Sequence, residues 1–227
     1  FKLTVKNLEK HIDDKVKGII FNYPCNPTGI SYNRKELSKI NEILLKNKII
    51  CISDEIYGDL TYDFEHVAFP SLPKAKKNTV YLNGFSKSYA MTGWRVGFAC
   101  GPKDIIAGMT KIHQYTIMCV PTVSQMAASE ALYSWEKEVR EMKREYARRR
   151  EFVIEGLNKL GLLCHKPQGA FYAFPNIKKT GLTALDFAQR LLKKKRVAVV
   201  PGTAFGREYK DYLRISYASS LDTVSYT

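Results

Sequence analysis

Two short apolar runs with one amphipathic run between them constrain this chain most. Val16-Lys17-Gly18-Ile19-Ile20-Phe21 and Ile49-Ile50-Cys51-Ile52-Ser53 each have the length and β-branched content of a buried strand. Between them, Asn33 followed by Glu36 reads as a capping box opening a helix from Arg34 to about Lys46, with Leu37, Ile40, Ile43 and Leu44 on one face. Strand, helix and strand within so few residues make a right-handed parallel crossover. The expected class is therefore α/β, a mostly parallel sheet sandwiched by helices.

In such sheets ligands bind beyond the carboxyl ends of the strands. The first strand runs into Asn22-Tyr23-Pro24-Cys25-Asn26-Pro27-Thr28-Gly29, a loop too rich in proline and glycine for regular structure. Asp54 follows the second strand directly. A third apolar run, Thr79-Val80-Tyr81-Leu82-Asn83, leads into Gly84-Phe85-Ser86-Lys87-Ser88-Tyr89-Ala90-Met91-Thr92-Gly93-Trp94-Arg95-Val96-Gly97. Asn26, Asp54 and Lys87 thus converge on one sheet edge. A desolvated lysine in a small-residue turn can attack a carbonyl to form a Schiff base. Arg95 offers a fixed fork for a phosphate. The plainer readings are a solvated lysine, an ordinary Asn-Pro-Thr-Gly turn and a charged strand exit; the shared edge argues against them.

The Lys87 segment resembles the pyridoxal-phosphate attachment site of the class I aminotransferases position by position. With it go an Asn-Pro-x-Gly loop and an Asp-x-x-Tyr step, Asp54-Glu55-Ile56-Tyr57. The resemblance implies the aspartate aminotransferase fold. It implies that Asp54 pairs with the pyridinium nitrogen and keeps the ring an electron sink, while Tyr57 and Asn26 hydrogen-bond its phenolic oxygen. It makes Lys87 the catalytic base and acid, and it assigns Ser86 and Arg95 to the cofactor phosphate. Gly84 departs from relatives that carry a hydroxyl residue three positions before the lysine. In Tyr212-Leu213-Arg214-Ile215-Ser216-Tyr217, Arg214 alternates away from Leu213 and Ile215; the resemblance makes it the grip on the substrate carboxylate, together with Asn26. Gly169-Ala170-Phe171-Tyr172 resembles a segment lining the domain cleft. The implied reaction is ping-pong transfer between an amino acid and a 2-oxo acid, with aspartate or broad specificity and a homodimer as the working form. The same fold also hosts lyases, synthases and cofactor-sensing domains of transcription regulators, so those stay open.

The remaining elements follow from periodicity. Phe1 to Val5 and Val96 to Cys100 read as strands, and Lys103 to His113 as a helix. Thr122 to about Leu160 reads as one long or kinked helix, with the boundary between a large domain (1–145) and a small α+β domain (146–227) inside it. In the small domain, Leu162 to Cys164, Gly169 to Pro175, Val197 to Val200 and Tyr212 to Tyr217 read as strands, and Thr183 caps a helix to about Lys195. Because family members are much longer, the chain reads as a part. An N-terminal segment with the glycine/serine phosphate loop, and a terminal helix after Thr227, are expected outside it.

Composition narrows the partners. The net charge is +14 among 227 residues, and the basic runs Lys143-Arg144, Arg148-Arg149-Arg150 and Lys193 to Arg196 fall on helical stretches. They read as solvated faces; without a nucleic-acid motif the charge points to anionic substrates and a phosphate-bearing cofactor. Five scattered cysteines and no CxxC pair indicate a reducing cytoplasm, and the four histidines share no metal-ligand spacing. No apolar run reaches the roughly 20 residues of a membrane span.

Overall fold

A computed structural model describes residues 1–220. Its larger sheet has the order β1-β2-β3-β4: β1 (Gly18–Asn22), β2 (Ile50–Asp54) and β3 (Thr79–Gly84) are parallel, and β4 (Gly97–Cys100) is antiparallel to β3. A second sheet, β5-β7-β6, is antiparallel and built from β5 (Tyr172–Ala173), β6 (Val200–Pro201) and β7 (Leu213–Ser216). The helices are α1 (Val5–His11), α2 (Arg34–Lys46), α3 (Lys103–Thr116), α4 (Thr122–Ser134), α5 (Glu136–Lys159) and α6 (Ala184–Lys195). Residues 221–227 of the expected small domain lie outside the described residues.

The crossover forms as its sequence requires. Asn33 Oδ1 accepts from the Glu36 amide at 3.0 Å, and Glu36 Oε2 accepts from the Asn33 amide at 2.9 Å, which closes the capping box of α2. Leu37, Ile40 and Leu44 pack on Phe21, Tyr23, Ile49 and Cys51 to make the main core. Each such side chain, fully buried, contributes about 1.5–3 kcal/mol. In the register Asn22 lies beside Asp54 and Asp54 beside Leu82, so the three strands end together and their exits share one edge.

Four expectations are corrected. Val197 to Val199 form no ladder, and only Val200 of that stretch joins a strand, β6. Phe1 to Val5 is not a strand, because Thr4 Oγ1 accepts from the Asn7 amide at 3.2 Å and caps α1; Phe1 packs instead among Phe174, Tyr209, Tyr212 and His165. The long helix is two, α4 and α5, because Trp135 leaves helical geometry at ψ 20°; one such residue barely disturbs a 3.6-residue apolar period. Leu162 to Cys164 forms no ladder. Cys164 donates its amide to Asn158 Oδ1 at 3.1 Å, and Leu163 receives a single bond from the Asn176 amide. Among the described residues no helix is long and apolar enough to cross a membrane.

Candidate active site

The lysine loop is closed at its base by two glycines. Gly84 and Gly97 face each other across β3 and β4. A Cβ on Gly84 would lie 2.9 Å from Gly97 Cα and 2.9 Å from the Val96 carbonyl, so no side chain fits there without moving the backbone. Inside the loop the Thr92 hydroxyl donates to the Ser86 carbonyl at 2.7 Å, and Arg95 Nη1 donates to the Thr92 carbonyl at 2.9 Å. Thr92 thus ties Ser86 to Arg95. Arg95 takes the left-handed conformation, φ 57°, and its side chain reaches solvent. The half-buried Lys87 ammonium lies 5.9 Å from the Tyr57 ring and 5.8 Å from the Phe171 ring. Among the described residues no carboxylate pairs with it.

Asp54 and Tyr57 are held by the strand exit. Asp54 Oδ1 accepts from the Ile56 amide at 3.3 Å, an aspartate turn that sends the chain toward Tyr57. Between them Glu55 is fully buried, and its carboxylate takes bonds from Ser53 Oγ (2.7 Å), the Phe69 amide (2.9 Å) and His66 Nε2 (2.5 Å). A buried carboxylate persists only with such partners, and here they pin the turn. The Tyr57 and Tyr172 hydroxyls are 3.0 Å apart. Burial first, then the bond with Tyr172, push the Tyr57 phenol far above its ordinary value, and Tyr57 stays a neutral donor.

The asparagine loop joins the two sheets. Asn22, which carried no signal beyond ending a strand, donates from Nδ2 to the Asp54 carbonyl at 3.0 Å and accepts the Asn26 amide at 3.0 Å. Asn26 Oδ1 then receives Arg214 Nη1 at 2.8 Å. The Arg214 guanidinium lies 4.7 Å from the Tyr172 ring and 5.1 Å from the Phe205 ring, a cation–π contact with each. Its Nε is buried and has no partner among the described residues.

The far side of the same loop is stitched to residues 165–169. The Gly29 carbonyl accepts from the Gln168 and Gly169 amides, and the Ser31 amide donates to Gln168 Oε1 at 3.2 Å. His165 Nε2 donates to the Thr28 carbonyl at 2.7 Å, which requires the proton on that nitrogen. Burial outweighs the carbonyl and holds His165 below its ordinary 6.5. The folded chain therefore resists a proton that the unfolded chain accepts, so stability present above pH 6.5 is lost as the pH falls below it. Urea midpoints of a His165→Gln variant should decline less than those of the unaltered protein between about pH 7 and 5.5; parallel declines would exclude His165 as the cause.

Asn26, Asp54, Tyr57, Lys87 and Arg214 are thus linked through one run of contacts that also includes Asn22 and Tyr172. Ser86 and Arg95 lie on the same loop as Lys87, and among the described residues no hydrogen bond or ion pair joins their side chains to the other five. Three cations against one ionised carboxylate give the site a positive field suited to an anionic ligand. Sequence patterns passed over Asn22, His165, Gln168, Tyr172 and Phe205 as individual contributors.

The description "Aminotransferase class I and II" matches residues 1–226. An aspartate aminotransferase of Pyrococcus abyssi is 46% identical over 226 residues, covering 98% of this chain and 58% of that protein. The aromatic-amino-acid aminotransferase 2 of Thermococcus litoralis is 42% identical over 226 residues, with the same coverage of both, 98% and 58%. The crystal structure of an aromatic aminotransferase from Pyrococcus horikoshii superposes with a TM-score of 0.96 at 44% identity, over 100% of this chain and 61% of that one. The chain thus spans about 58% of the length of the curated relatives it matches. With its lysine loop, strand-exit aspartate and paired arginine in one site, the chain belongs to the class I and II aminotransferases.

Proposed function

We propose that the intact protein moves an amino group between an amino acid, aspartate or one of a broad set, and a 2-oxo acid. The observation that carries this reading is Arg214, in contact with two aromatic rings, bonded to Asn26 and left with a buried Nε that has no partner among the described residues. A buried donor without a partner costs about 1–3 kcal/mol, and a carboxylate would satisfy it.

The family's cofactor is pyridoxal phosphate, and the residues present fit it: an amine free of carboxylates, a neutral phenol, a strand-exit carboxylate and a solvent-facing arginine. When bound, it supplies an aldehyde for the Lys87 amine and a ring that withdraws electrons from the substrate carbon. Asp54 would pair with the ring nitrogen, Tyr57 and Asn26 would donate to the ring oxygen, and Ser86 and Arg95 would hold the phosphate. Arg214 and Asn26 orient the substrate by its carboxylate. Lys87 would take the proton from the substrate Cα and deliver it to the cofactor side, not back to Cα, acting as base and then acid. Because the donor's oxo acid must leave before the acceptor can occupy the same groups, ping-pong kinetics would follow. Exposed apolar side chains along α3 and α4, among them Ile112, Tyr115, Met126 and Tyr133, support assembly with a second copy. The unpaired thiols fit a reducing cytoplasm.

The test is chemical. The full-length protein is incubated with pyridoxal phosphate, reduced with borohydride and mapped by peptide mass. One adduct per chain at Lys87 supports the assignment; label dispersed over surface lysines overturns it.

A further inference from the structure

The side chain that touches both halves of the site is Tyr172. It lies on β5, only 7% exposed. Its hydroxyl is 3.0 Å from that of Tyr57, its ring stands edge-on to the Tyr57 ring at 79°, and the Arg214 guanidinium lies 4.7 Å from its centroid. We propose that Tyr172 is a positioning residue: through its hydroxyl it sets how strongly Tyr57 donates, and through its ring face it sets the plane of Arg214. This rests on the functional reading above.

The proton count supplies the logic. Each phenol has one proton. If Tyr57 donates to Tyr172, nothing remains for a ligand oxygen. If Tyr172 donates to Tyr57, the Tyr57 proton is free, and its donation is strengthened by the bond it accepts. An anionic ligand oxygen selects the second arrangement. The other charges facing Tyr57 are Arg214, Asp54 and the Lys87 ammonium. None of them donates to its hydroxyl among the described residues, so Tyr172 alone has the geometry to polarise it. On the other side, the Tyr172 and Phe205 rings both contact the guanidinium and limit how it can turn to meet a carboxylate.

The test uses the full-length protein loaded with pyridoxal phosphate, whose visible band should titrate with pH. Absence of a titrating band from the unaltered protein would defeat the functional reading, and this inference with it. Given the band, Tyr172→Phe keeps the ring and removes one hydroxyl. A weaker Tyr57 donor stabilises the negative ring oxygen less, so the midpoint should rise by about 0.2–0.5 pH unit. Succinate affinity, measured by calorimetry, should change by less than about twofold. Tyr172→Leu should show the same midpoint and bind succinate about 3- to 30-fold more weakly. In a Tyr57→Phe background, Tyr172→Phe should move the midpoint no further. An unmoved midpoint in Tyr172→Phe, an additive shift in the double variant, or equal succinate affinity in the Leu and Phe variants would each overturn the proposal. Should the Leu variant fail to fold, the two Phe variants still decide it.

Discussion

Lys87→Ala is expected to lower amino transfer by at least about 10³-fold while the protein still folds. Two losses combine in this variant. The general base at Cα contributes about 10²–10⁴ in rate, and the covalent attachment that fixes the cofactor's reactive carbon disappears with the amine. Nothing nearby replaces it, since the lysine's neighbours within the site are the Tyr57 and Phe171 rings, neither of which is a base at neutral pH. Folding should be unaffected. Lys87 takes part in no ion pair among the described residues, and its loop is closed by Gly84, Gly97 and Thr92. Single-turnover absorbance of the loaded variant against substrate is the measurement, with borohydride labelling as control. Turnover at the unaltered rate would sink the assignment of Lys87.

Arg214→Leu is expected to lower kcat/KM for α-amino acids by about 10- to 150-fold, the equivalent of about 1.5–3 kcal/mol for hydrogen bonding to a charged group. The loss should concentrate in KM, because the carboxylate is held in the ground state as well as during reaction. Arg214→Lys keeps the charge but not the planar fork that contacts Tyr172 and Phe205 and can meet a carboxylate bidentately, so most of the loss should persist. An amine substrate without a carboxylate discriminates causes: it should react at similar rates with the unaltered and Leu proteins. If both substrates slow equally, Arg214 acts by shaping the site and not by gripping the carboxylate.

The crossover was legible because its signals are local. Asn33 and Glu36 are three residues apart, and Leu37, Ile40 and Leu44 fall on one face, so α2 begins and ends where the pattern says. Lys87, Asp54 and Asn26 were legible because parallel strands must end on one edge. What stayed hidden comes from residues distant in sequence. Nothing around Tyr172 announces Tyr57 as its partner, 115 positions away, and His165 meets Thr28 across 137. Leu162 to Cys164 misled because three apolar residues fit a strand and a packed loop equally well. Trp135 misled because apolar periodicity reports which face is buried, not whether each residue stays helical.

The bond between Arg214 and Asn26 closes a span of 188 residues, whereas Gly84 and Gly97 close a short hairpin around Lys87. By chain-closure entropy alone the longer span is on the order of 2 kcal/mol harder to bring together. Local contacts are rewarded before distant ones in folding. The amine proposed to bond covalently can therefore be in place while the proposed carboxylate fork is still unbuilt. On the proposed function, capture of an aldehyde and discrimination among substrates would then mature at different stages of the chain's assembly, and only the later one would report that both sheets have docked.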